Sequence, residues 1–192
     1  ARNKRVRPAL DDKILTSWNA LMLKGLINAY QVLGDESILA LALKNAAFLE
    51  TRMLTEERKV YRNFHRGTLS ISGFLDDYAF LAEAYILLYR ATFNEKWLHL
   101  ALDITKYAIS HFYDRKQNRF YYTSDEDPAL ILRPSEYTDN VIPSSASSIT
   151  SSIYYLNKYF DLGDFRKIFD RLMLSIQPQL LKNPVFHSAW AR

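Results

Sequence analysis

Between Lys13 and Leu33 the polar residues Lys13, Ser17, Lys24, Asn28 and Gln31 recur at spacings of three, four or seven in an otherwise apolar run. That pattern predicts a helix apolar on almost every side, with one narrow polar stripe. A turn at Gly34 follows, then a second helix from about Asp35 to Leu54. The third segment, Phe74 to Arg90, is more extreme: after Asp77 only Glu83 and Arg90 are charged, so it should be buried nearly all round. Its successor, from about Asn94 to Tyr113, carries Lys96, His99, Asp103, Lys106 and Ser110 along one face, a solvent stripe. SSASSITSSIYYLNKYF and DFRKIFDRLMLSIQPQLL repeat the alternation of buried and amphipathic helix. Inner helices surrounded by outer ones are the expected arrangement.

A weak internal repeat supports the pairing. Asp35, Asn94 and Asp164 each fall at the short turn before an outer helix, at spacings of 59 and 70 residues. ILALALKNAAFL and WLHLALDITKYA align without gaps, with Leu39, Leu41, Ala42 and Leu43 over Leu98, Leu100, Ala101 and Leu102. These intervals exceed the roughly 33–34 residues of tetratricopeptide and ankyrin repeats; a toroid of large helical hairpins fits them better. NRFYYTS and ALILRPSEY, separated by DEDP, read as a small β-hairpin laid over one end of the helices.

Composition narrows the classes. The chain has 192 residues, 48% of them hydrophobic, with no cysteine; disorder, a disulfide scaffold and a thiolate site are excluded. No apolar run reaches the roughly 18 residues that span a bilayer, and no secretory signal opens the chain, so a cytoplasmic location without a membrane partner is expected. The net charge of +4 is carried by Arg2, Lys4, Arg5 and Arg7 in the first ten residues, leaving the rest balanced. Nucleic-acid binding, which favours a basic stripe across the fold, is not expected. His65, His99, His111 and His187 lack metal-ligand spacing, and no glycine-rich phosphate loop is present, so neither a metal nor another cofactor is indicated. The serines from Ser144 to Ser152 have no accompanying histidine or glycine elbow to make one a nucleophile.

The chemistry-bearing residues are carboxylates at the entrances of the buried helices: Asp11 and Asp12, Asp76 and Asp77, and Glu136 with Asp139. Two carboxylates flanking a sugar bond serve as acid and base, or as acid and nucleophile, and one with a raised pKa takes a proton from a sugar carbon. Aspartate at a helix start also caps free N–H groups and meets the positive end of the dipole. One cap per helix suffices, so Asp12 and Asp77 are assigned the catalytic roles and Asp11 and Asp76 the caps or substrate contacts, the reverse within each pair staying open. Trp18 and Tyr78 are candidates to stack on a sugar ring, or are core aromatics. Asn19 and Ser144 complete the candidate substrate-binding set with Glu136 and Asp139.

The strings RVRPALDDKILTSWNALM, GFLDDYAFLAEAYILLYRATFNEKWLHLA and LRPSEYTDNVIPSSASS resemble, in order and spacing, the family of bacterial YyaL-like proteins and mammalian spermatogenesis-associated protein 20. The likeness runs from about Ala1 to Leu174. It maps the family's first motif onto Arg7, Pro8, Asp11, Asp12, Lys13, Leu15, Trp18 and Asn19, and its second onto Gly73, Phe74, Leu75, Asp77, Tyr78 and Ala79, which favours Asp77 over Asp76. The third is met by Glu136, Asp139, Pro143, Ser144 and Ser148, with Ser135, Asn140 and Ser145-Ala146 in place of Lys, Gly and Gly-Asn.

The resemblance implies an all-α, six-hairpin (α/α) toroid similar to sugar epimerases and six-hairpin glycosidases. About three hairpins fall within residues 1–192, and the family's thioredoxin-like domain falls outside them. It implies a sugar ligand, and an epimerase, isomerase or glycosidase of carbohydrate metabolism. A non-catalytic helical domain partnering the thioredoxin-like domain is the alternative reading. Apolar inner helices left open would also promote self-association.

Overall fold

In the computed structural model, which describes residues 5–7, 10–128 and 131–191, the expected alternation becomes three helical hairpins. These are α1 (Thr16–Leu33) with α2 (Glu36–Met53), α3 (Leu75–Thr92) with α4 (Glu95–Phe112), and α5 (Ser145–Phe160) with α6 (Gly163–Lys182), followed by a 3-10 turn over Pro184–Ala191. Arg2, Lys4 and Pro8 of the N-terminal readings lie outside the described residues, as do positions 129 and 130 of the strand-like run. No described helix is long and apolar enough to cross a membrane.

Helix α3 is the centre of the arrangement. It packs against α1 and α5 as well as its partner α4, and 12 of its 18 residues are buried, as its near lack of charge requires. Its Glu83 meets Lys24 of α1, so the narrow polar stripe of α1 is consumed in part by an inner-helix ion pair. The outer helices keep their solvent faces, and Asp35 and Asn94 cap α2 and α4 by accepting the N–H groups of Ser37 and Lys96. Asp164 differs: it lies within the first turn of α6 and holds Arg115 through both carboxylate oxygens, at 2.9 and 3.1 Å.

The strands correct the sequence reading. The main hairpin lies before α3, where β2 (Tyr61–His65) pairs antiparallel with β3 (Thr68–Ser72), and β1 (Ile14–Leu15) adds to its other edge. The turn is Arg66–Gly67, both at positive φ (48° and 84°), the geometry that matches strand twist in a two-residue hairpin. Because Ile14 and Leu15 pair with Phe64 and Asn63, the first helix starts at Thr16 rather than Lys13. In the NRFYYTS stretch only Arg119–Phe120 (β5) is strand, paired with Tyr113–Asp114 (β4). The N–H of Tyr122 instead donates to Pro134 O at 2.7 Å, and the described residues between them lie outside helix and strand.

Gly73 fixes how the hairpin meets the helices. Its N–H donates to Val60 O at 2.8 Å, and a Cβ there would lie 2.7 Å from that same oxygen. Only glycine permits the approach that swings the chain from β3 into α3.

Candidate active site at the start of the inner helices

The three inner helices begin at one end of the molecule. Asp77 in the first turn of α3 accepts the N–H of Ser17 in α1 at 2.9 Å. Leu75 at the start of α3 donates to Tyr122 O at 2.9 Å, and the segment from Tyr122 continues to Glu136, which accepts the N–H of Ser145 in α5 at 3.2 Å. The carboxylates before α3 and α5 thereby approach the first turn of α1, while Asp11 and Asp12, expected with them, stand apart beyond β1.

Asp77 has no exposed surface. Besides Ser17 it accepts the N–H of Phe74, the residue preceding α3, at 3.0 Å. The capping contact expected of Asp76 is therefore made by Asp77, which stands one turn into the helix and so can reach back to its start. It caps two helices at once, since no side chain of its own strand or turn caps α1. Asp76 accepts the N–H of Asp77 at 3.0 Å and keeps a small exposed edge, 8% of its side chain.

Both carboxylates share Arg62 of β2: its Nη1 lies 3.0 Å from Asp76 Oδ1 and 2.9 Å from Asp77 Oδ2. The guanidinium also lies 4.8 Å from the ring centroid of Phe74, which packs on Tyr122 at 5.1 Å. Burial, and then the Asp76 charge, push the Asp77 carboxyl up to about 7, against the pull of Arg62 and the N–H groups of Phe74 and Ser17. Burial and then Asp76 also raise the Tyr122 phenol. The result is a carboxylate pair with one cation, an exposed carboxylate edge and a half-buried phenol.

The remaining predicted residues separate into two groups. Asp139 accepts the N–H groups of Ser144 and Ala189 at 2.9 and 2.8 Å, and Ser144 caps α5. Asn19 donates to Leu15 O at 2.8 Å and accepts from Asn45. Tyr78 lies in the core, 1% exposed, accepting the N–H of Val60 at 3.0 Å and stacked on Tyr107 at 5.3 Å. Stacking of Tyr78 on a ligand is ruled out because both faces and the hydroxyl are occupied by protein. Trp18, by contrast, is 68% exposed. Asp11 and Asp12 cap nothing, because β1 separates them from α1; Asp11 pairs with Lys13 at 3.0 Å, and Asp12 with His65 at 2.6 Å and Arg66 at 3.4 Å.

Arg62 and Tyr122 escaped the sequence reading. Alternation through TLSIS after the Arg66-Gly67 turn was the signal for the hairpin that delivers Arg62. Nothing local marks Tyr122, whose position depends on the irregular segment. A groove of about 480 Å³ runs along α5 and α6, lined by Thr150, Tyr154, Phe169, Met173 and Trp190, and reaches Ser147 and Ala189, which bond Ser144 and Asp139. The flank of α1 is open too, with Trp18, Met22, Gly25 and Val32 exposed along one stripe.

No family model matches the chain. It is 28% identical over 195 aligned residues to spermatogenesis-associated protein 20 of Homo sapiens, covering 96% of this chain and 25% of that protein. The Rattus norvegicus protein of the same name is 32% identical over 157 residues, 77% of this chain and 20% of that one. The chain thus spans a quarter or less of the length of these curated relatives.

Among solved structures it is similar to a sugar epimerase from a ruminal bacterium, with a TM-score of 0.72 at 20% identity over 89% of this chain and 46% of that one. Cellobiose 2-epimerase from Spirochaeta thermophila superposes at 0.68, with 17% identity, 86% of this chain and 43% of that one. An inactive α-1,6-mannanase variant from Salegentibacter sp. HEL1_6, with two consecutive aspartates changed to asparagine and α-1,6-mannotriose bound, superposes at 0.67, with 12% identity, 85% of this chain and 47% of that one. The fold is that of the (α/α) toroids that these solved structures share, and over 77–96% of its length the chain is similar to spermatogenesis-associated protein 20.

Proposed function

We propose that the end of the toroid where α1, α3 and α5 begin is a carbohydrate site that serves an epimerase, isomerase or hydrolase reaction. The observation that carries this reading is the Asp76–Asp77 pair: two consecutive carboxylates sharing Arg62, one of them with an edge open to solvent beside Tyr122. Asp76 is the group that meets the sugar. Asp77, raised to about 7, stands behind it as a proton-holding neighbour. The pair formed by Asp12, ahead of β1, and His65 at the end of β2 offers a second acid–base couple, and the exposed indole of Trp18 a stacking face. The mannanase variant, inactive without two consecutive aspartates, makes such a pair the first place to test.

A second reading has its own observation: Asp77, Glu136 and Asp139 each accept a backbone N–H at the start of an inner helix, as caps in a scaffold do. Thermal shift against mannose, cellobiose and α-1,6-mannotriose separates the two. The Asp76→Asn variant is the comparison, because Asp76 makes none of the bonds that join α1 to α3. A sugar that raises the melting temperature of the parent and not of Asp76→Asn supports the site. Equal responses in both, or none, support the scaffold.

A further inference from the structure

Resting on the carbohydrate reading, we infer that this site takes uncharged sugars and rejects those bearing a phosphate or a carboxylate. Helix starts ordinarily welcome anions, because their N–H groups are free and the dipole is positive there. Here the protein's own carboxylates already occupy them. Asp77 takes the N–H groups of Ser17 and Phe74, Asp76 that of Asp77, Glu136 that of Ser145 and Asp139 that of Ser144.

The cation is committed as well. Nη1 of Arg62 contacts three oxygens of Asp76 and Asp77 within 3.3 Å. Burial first, then Asp76, Glu136 and Asp77, raise the Tyr122 phenol, and Arg62 opposes them. Lys13 ahead of β1, and His65 and Arg66 at the hairpin tip, are likewise paired with Asp11 and Asp12. Even with a proton on Asp77, carboxylates outnumber the guanidinium two to one, and their partial burial weakens screening. What stays on offer is an acceptor edge on Asp76 and a hydroxyl on Tyr122, groups suited to sugar hydroxyls.

Binding of mannose and mannose 6-phosphate, each measured by competition with α-1,6-mannotriose in ligand-observed NMR, tests this. At low salt the phosphate should bind at least about tenfold more weakly, and the gap should narrow at about 0.5 M salt. Glu136→Gln keeps an acceptor for the Ser145 N–H while removing one charge, and should narrow the gap at low salt. Equal or tighter binding of mannose 6-phosphate overturns this inference and leaves the carbohydrate site standing. A gap unchanged in Glu136→Gln overturns it likewise. Failure of every sugar to bind overturns the carbohydrate reading and this inference with it.

Discussion

Replacing Asp77 by alanine removes the one side chain that joins the starts of α1 and α3. It deletes the bonds from Ser17 N–H at 2.9 Å and Phe74 N–H at 3.0 Å, and one of the two carboxylates facing Arg62. Hydrogen bonds to a charged group contribute about 1.5–3 kcal/mol each. Ser17 is fully buried, so its N–H is left without water or partner. Because Arg62 keeps Asp76, the penalty for an unpaired cation is avoided, and the expected loss is about 3–5 kcal/mol. Against a typical domain stability of about 5–15 kcal/mol this is severe. Asparagine retains one acceptor and removes a buried charge, so Asp77→Asn should cost about 1–2 kcal/mol.

The two variants also carry a pH signature. The folded carboxyl titrates near 7 against an ordinary value of 3.8, so the folded state binds this proton more tightly than the unfolded chain. Its contribution is fully present below the lower value and is lost as pH rises through the higher one. The stability of the parent relative to Asp77→Asn should therefore fall as pH climbs from about 4 to about 7. Urea unfolding followed by far-ultraviolet circular dichroism measures both effects. A loss under about 1 kcal/mol in Asp77→Ala refutes the double cap. A parent advantage that grows with pH refutes the raised carboxyl.

Two further outcomes are expected. Gly73→Ala should lower stability by about 1–3 kcal/mol in the same assay, because its Cβ would stand 2.7 Å from Val60 O; an unchanged midpoint would show that the hairpin shifts freely. The open flank of α1 should drive self-association, seen as a mass that rises with concentration in light scattering. Met22→Arg, in the middle of that stripe, should abolish the rise. A parent that stays monomeric at high concentration removes the proposal.

The helical frame was legible because burial there follows from local pattern. The near absence of charge between Tyr78 and Tyr89, apart from Glu83, requires a helix surrounded by others, and α3 is that helix. The site was legible only in part. Asp76, Asp77, Glu136 and Asp139 announce themselves as acids before apolar runs, but which of two adjacent aspartates points back to the helix start is decided by side-chain reach. Asp77 has it from the first turn, whereas Asp76 does not. Arg62 reaches the pair only through a strand register, and Tyr122 through a segment with no periodic signal, so neither could be placed without coordinates. Tyr78, left open between a ligand face and the core, lies in the core, because helical geometry turns its ring inward.

The carboxylates belong to a helix and their counter-charge to a hairpin, and this division separates what holds the ring together from what tunes its chemistry. Exchanging Arg62 alters the charge around Asp76 and Asp77 without removing a bond between helices. Substitutions in the first turn of α3 do both at once. In this chain the counter-charge can accordingly be changed through the hairpin alone, whereas the acid of Asp77 is bound to the joining of α1 and α3.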